Sequence, residues 1–166
     1  MIDRRASRIL AMQALCQMES LGEDFLAQLD DFLADEGHPA GVQEYARGLV
    51  RDCWSHREAL DARLQAVAEH WATRRMAMVD RNILRVSACE LMHRRDIPPA
   101  VVINEAVEIA RAFSGAESPG FINGVLDAVR KGLDAPPAAP VNPLSAALEQ
   151  THAAQSGMPA GGQGTN

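Results

Sequence analysis

Aromatic residues make up only 4% of this 166-residue chain, and tyrosine occurs once. Domains rich in β-structure lean on aromatic and β-branched side chains. The scarcity therefore points to a core of Leu, Val, Ile, Ala and Met, the usual filling between packed helices. Cysteine is also scarce: Cys16, Cys53 and Cys89 are odd in number, widely spaced and outside any CxxC pair. This argues against a disulfide framework and a structural zinc site, and it fits a reducing cytoplasm. No apolar run approaches the roughly 20 residues of a membrane span, and no long apolar stretch follows the first charges. Neither membrane insertion nor a signal peptide is expected. Glycine-rich phosphate loops, a GxSxG elbow and a dinucleotide fingerprint are missing as well. The chain is thus expected to bind rather than catalyse, without a cofactor.

Lysine is almost absent. Of the 16 basic residues 15 are arginine, and all lie at or before Lys131. Arginine forks onto phosphates and stacks on bases, so the bias suits RNA contact. A GC-rich coding sequence would produce the same bias, and composition alone does not separate the two. The net charge of -6 repels nucleic acid at long range unless the cations cluster.

What is present is helical periodicity. Leu10, Ala11, Ala14, Leu15, Met18 and Leu21 recur at three- and four-residue steps, with Asp3 placed to cap this helix and Gly22 to end it. Phe25, Leu26, Leu29, Phe32 and Leu33 mark a second helix over 23–34, stopped by Gly37-His38-Pro39. Further helices are predicted over 41–55, 57–71, 78–94, from Pro98-Pro99 to Phe113, and from Ser118-Pro119 to about Gly132. Thr73 to Arg75 reads as a connection. From Asp134 onward the chain has Pro136, Pro137, Pro140 and Pro143, then a stretch rich in Gly, Ala, Gln and Thr, with no Lys or Arg. The expected organisation is an all-α domain of about seven helices in two packed subdomains over 1–133, and a disordered tail over 134–166.

Arg4, Arg5 and Arg8 form the densest basic cluster, at the N-terminal end of a helix where the dipole disfavours cations. A bound phosphate would reverse that penalty; ordinary surface arginines are the competing reading. Arg81 and Arg85 lie four apart and share a face beside Asp80, Glu90 and Arg94 lie four apart in acid-first order, and these charges read as exposed ion-pairing groups and not as ligand contacts. Glu105 and Glu108 lie three apart, but no Glu-x-x-His accompanies them, so they read as structural hydrogen-bonding groups and not as metal ligands. Cys53 and His56 are one turn apart, with nothing nearby to orient them for catalysis. Gly124 within the last helix suggests close approach of another backbone. Phe121 reads as a core residue or as an exposed platform for a base.

Four segments in order, RRASRILAMQAL at Arg4 to Leu15, VDRNILRVSACEL at Val79 to Leu91, INEAVEIA at Ile103 to Ala110 and FINGVLD at Phe121 to Asp127, resemble the NusB antitermination family over about residues 3–132. The resemblance implies an all-α fold of two helical subdomains. It also implies binding of boxA RNA on nascent transcripts together with NusE, a ribosomal small-subunit protein, within the transcription elongation complex at ribosomal RNA operons. By position it assigns RNA contact to Arg4, Arg5 and Arg8 and to Glu117, Ser118 and Phe121. It assigns partner contact to Asp80 and Arg81, so that Asp80→Arg is expected to abolish NusE binding without changing the melting temperature. Ala6, Ile9 and Cys16 depart from the usual family residues, a basic residue in some members, Glu and an aromatic respectively, and the basic patch is thinner at Ala6. Two alternatives stay open: a detached accessory domain related to ribosomal RNA cytosine methyltransferases, and a helical interaction module that binds no RNA. Monomer and homodimer are equally compatible with the sequence.

Overall fold

The computed structural model describes residues 2–68 and 76–134. Among them are seven α-helices and one 3₁₀ segment, with no strand. The helices are α1 (Arg4–Leu21), α2 (Leu29–Asp35), α3 (Ala40–Ser55), α4 (Arg57–Val67), α5 (Met78–His93), α6 (Pro99–Phe113) and α7 (Ser118–Asp134). Residues Met1–Asp134 form one compact unit. The expectations for Trp71, for 73–75 and for the tail lie outside the described residues.

Local chemistry sets the ends of α1. The Asp3 carboxylate accepts the Ala6 N–H at 3.0 Å, satisfying one of the orphan donors of the first turn. Gly22 ends the helix at φ 79°, a conformation costly for residues with a Cβ, and its N–H returns to the Met18 carbonyl. The second predicted helix is split. The Phe25 N–H bonds back to the Gly22 carbonyl, three residues away, and the chain winds as a 3₁₀ segment over Glu23–Gln28 before α2 begins. Both pieces still face inward through Phe25, Leu29 and Leu33.

The helices group as α1–α3 and α4–α7, and a continuous apolar core joins the two groups. Helix α5 is the shared axis, packing on α1, α3, α4, α6 and α7. Every residue from Asn82 to Glu90 is buried. A helix enclosed on all sides is normally apolar, yet this one carries Asp80, Asn82, Arg85, Ser87 and Glu90 inward. Those polar groups must find partners inside the protein, and this requirement shapes the candidate site. Gly124 departs from expectation: it is exposed, and a Cβ built there would meet open space, so no backbone approaches it.

Candidate nucleic-acid interface

The three arginines of the first helix diverge in environment. Arg4 leaves 45% of its side chain exposed, lies 5.4 Å over the Tyr45 ring, and reaches Asp96 only at 3.9 Å. Arg5 is half exposed and bidentate with Glu105 of α6: Nε and Nη2 donate to the two carboxylate oxygens, each at 2.7 Å. The Arg5 guanidinium holds the Glu105 carboxyl below the usual carboxylate range, against a smaller opposing effect of burial. Arg8 is a correction to the surface-patch expectation. Its side chain is only 3% exposed, because α1 turns this position onto α5, where its Nε donates to the fully buried Glu90 at 2.7 Å. The hydroxyl of Tyr45 on α3 donates to the other Glu90 oxygen at 2.7 Å. Burial first, then this bond, push the tyrosine pKa up to about 12.

Arg4, Arg5, Arg8 and Glu105, with Asp3, rim an open groove of about 900 Å³ between the start of α1 and α6. Ile2, Ile97 and Val101 give it an apolar wall, and Arg4, Arg5, Arg8 and Glu105 give it a charged one. The Tyr45 ring is contacted by two guanidiniums, Arg4 at 5.4 Å and Arg94, just past the end of α5, at 4.7 Å from its centroid. Exposed cations beside an apolar ledge suit a polyanion whose bases are also displayed.

The second set of sequence-assigned residues sits elsewhere, where α5 begins and α6 turns into α7. Asp80 is 8% exposed, so it is not a free surface carboxylate. One of its oxygens takes the Ser118 hydroxyl at 2.8 Å and the other lies against the Ser114 hydroxyl. Asp80 thereby ties down the α6–α7 connection that carries Glu117. Phe121 resolves the two readings by being half-buried: it packs on the core edge and lines a small cavity of about 160 Å³ with Met76, Ala77, Asp80, Glu117 and Ser118. Arg81 pairs with Glu19 of α1 and also donates to the Met76 carbonyl. The structure therefore brings Asp80, Glu117, Ser118 and Phe121 together, and places Arg4, Arg5 and Arg8 in a different groove. Asp80→Arg should consequently lower the melting temperature, because it strands two serine hydroxyls and places a cation in a nearly closed site, costing about 2–4 kcal/mol. Differential scanning calorimetry giving an unchanged melting temperature would restore the surface reading.

Two further sequence readings are corrected. Arg85 is buried and joins Asp61 and Glu19. Glu90 does not pair with Arg94, which instead binds Asp52 at 2.9 Å. Periodicity cannot reveal that α5 is enclosed on all sides, so a four-residue charge spacing looked like a surface motif. Cys53 and His56 do not meet: Cys53 is buried with its sulfur 3.7 Å from the Arg85 carbonyl, whereas the exposed His56 ring lies 4.7 Å from His93. Glu19 and Asp61 escaped sequence reading, and Tyr45 reads there only as part of the apolar side of the helix over 41–55, with Val42, Leu49, Val50 and Cys53. The one available signal was the lone tyrosine on an otherwise aliphatic stripe. Among the described residues no group of three or more His, Cys, Asp or Glu could hold a metal, and no helix is long and apolar enough to cross a membrane.

An acidic all-helical body, a groove rimmed by arginines and a second polar corner at the α6–α7 turn describe a helical scaffold with two separate candidate contact regions. Comparison with known proteins places it. The model of the NusB family matches residues 5–131, and the chain belongs to that family. A transcription antitermination protein NusB of Symbiobacterium thermophilum is 41% identical over 140 residues, covering 80% of this chain and 92% of the relative. Its counterpart in Trichlorobacter lovleyi is 44% identical over 126 residues, covering 75% of this chain and 87% of that protein. Among solved structures, T. maritima NusB superposes with a TM-score of 0.67 at 33% identity, covering 79% of this chain and 93% of the other. A crystal structure of the antitermination factors NusB and NusE in complex with dsRNA gives a TM-score of 0.70 at 25% identity, covering 78% and 96%. These relatives are matched along nearly their whole length, which favours the antitermination factor over a detached enzyme accessory domain.

Proposed function

We propose that this chain is a two-sided antitermination adaptor that holds boxA-type RNA of nascent transcripts at the α1–α6 groove and docks NusE at a second face. It would act in the cytoplasm as part of the transcription elongation complex. The observation that carries this reading is the pair Arg4 and Arg5, half exposed at the rim of a groove with an apolar wall. The relatives bear the name of the activity, and one solved neighbour holds NusE and RNA. Arg8 joins the RNA side indirectly: its buried pair with Glu90 fixes the α1–α5 contact that sets the groove. Asp80 and Arg81 are the partner-side candidates, and Asp80 also braces the α6–α7 turn that carries Glu117, Ser118 and Phe121, the second group of RNA-contact candidates.

The bulk charge of -6 discourages non-specific nucleic-acid binding, so affinity has to come from a few local contacts. Fluorescence anisotropy with boxA RNA, with and without NusE, tests the reading. Arg4→Ala with Arg5→Ala should weaken binding about tenfold at ~0.1 M salt and flatten the salt dependence by roughly two charges. An unchanged slope and affinity would remove these residues from the interface.

A further inference from the structure

Glu105 occupies the guanidinium fork that an RNA phosphate would use. We propose that Glu105 is a built-in phosphate surrogate, holding Arg5 and covering Arg8 in the free protein and yielding its place to the RNA backbone on binding. The inference rests on the proposed RNA-binding role and names the residue that governs affinity at that site.

Three observations carry it. First, the Arg5–Glu105 contact is a two-bond fork at 2.7 Å on each side, the geometry by which arginine grips a phosphate. It joins α1 to α6 at the rim of the groove. Second, the same carboxylate lies 3.8 Å from Nη1 of Arg8, too far for a hydrogen bond but close enough to cover that cation. Third, Nη2 of Arg8 is buried and has no hydrogen-bond partner among the described residues. Buried donors on a charged group are expensive to leave unpaired, so an orphan of this kind beside an open groove marks a missing acceptor.

Exchange is chemically balanced. A carboxylate and a phosphodiester each carry one negative charge on two strongly accepting oxygens, so Arg5 is never left unpaired during replacement. Glu105 has somewhere to go: its side chain is 17% exposed, and its neighbour Asn104 already faces solvent. Charge supports the arrangement in the free state. Helix α1 has no acidic residue in its first turn beyond the Asp3 cap, and Glu105 adds a second anion, from α6, to the cations at this helix end. The surrogate also explains how an arginine cluster stays ordered without attracting every polyanion, since any ligand must outcompete a fork already made.

The test is a double-mutant cycle on the full chain, read by anisotropy with boxA RNA in the presence of NusE. Glu105→Gln removes the competing charge while keeping the shape, and should tighten RNA binding roughly tenfold at ~0.1 M salt. Glu108→Gln, one turn along α6 and paired with the exposed Arg111, removes the same net charge and should tighten it by less than about twofold. In an Arg5→Ala background the gain from Glu105→Gln should vanish. Thermal melts of both Gln variants check that the fold is kept. If Glu105→Gln melts early, the unsubstituted chain decides: the NMR signal of the Arg5 Nε–H must move when RNA is titrated in. A gain no larger than that of Glu108→Gln, a gain that survives Arg5→Ala, a loss of affinity, or a stationary Arg5 signal each overturns the surrogate. Absence of RNA binding by the unsubstituted chain, with and without NusE, would instead overturn the RNA role itself and the surrogate with it.

Discussion

Arg8→Ala is expected to lower the unfolding free energy by about 3–5 kcal/mol, the usual cost of stranding one member of a buried ion pair. Glu90 has no exposed side-chain surface and would keep only the Tyr45 hydroxyl as a donor. The loss is not that of a favourable contact alone. Most of it is the cost of holding an uncompensated carboxylate in a low-dielectric interior. Arg8→Met, Glu90→Leu and Tyr45→Phe together should recover most of the stability, since an apolar set of similar volume removes every stranded group. Arg4→Ala should change stability by less than ~0.5 kcal/mol, because Arg4 is exposed and its distance from Asp96 is 3.9 Å. Urea unfolding followed by circular dichroism measures all three. Equal effects at Arg4 and Arg8 would refute the division of these arginines into a surface ligand and an internal strut. The contrast also guards functional assays, because weaker RNA binding by Arg8→Ala would reflect lost structure as much as a lost contact.

Arg85→Ala is expected to cost about 2–3 kcal/mol, discounted from the fully buried case because Asp61 is partly exposed. Arg85 forks onto Asp61 of α4 at 2.7 and 2.6 Å and also contacts Glu19 of α1, so one side chain on α5 ties three helices. The Glu19 carboxyl shows the balance. Burial alone would raise its pKa, but Arg81 and Arg85, with the Asn82 amide, overcome that and hold it below the ordinary glutamate value. A carboxyl whose folded pKa lies below its unfolded value of about 4.3 stabilises the fold above that pH. The contribution disappears as pH falls through the lower folded value, when Glu19 takes up a proton and releases its arginines. Urea midpoints should therefore drop between pH 5 and pH 3 in the unsubstituted chain. Glu19→Gln should start lower at neutral pH and fall less steeply with acid. An acid slope unchanged by Glu19→Gln would mean that other carboxyls carry the transition.

How much of this was legible in advance depends on the range of the interaction. Helix limits followed from chemistry within one turn: the Asp3 cap, the Gly22 exit and the Pro98-Pro99 entry all sit where the sequence puts them. The split at Glu23–Gln28 was missed because both windings bury Phe25, Leu29 and Leu33, so the apolar stripe does not distinguish them. The site divides in the same way. The cluster Arg4, Arg5, Arg8 was visible as spacing, yet its members meet partners 82 and 100 residues away.

By itself the sequence determined an all-helical body, the ends of most of its helices, the arginine-bearing start of α1 and the resemblance that led to the NusB family. Each of these depends on neighbours within a few residues, or on residue order. Only the tertiary structure decided that α5 is enclosed, that Arg8 and Arg85 are internal struts, that Asp80 braces a turn and that Glu105 grips Arg5. A charged side chain's role is set by its dielectric surroundings and by the partner brought to it, and both arrive from distant parts of the chain when the helices pack.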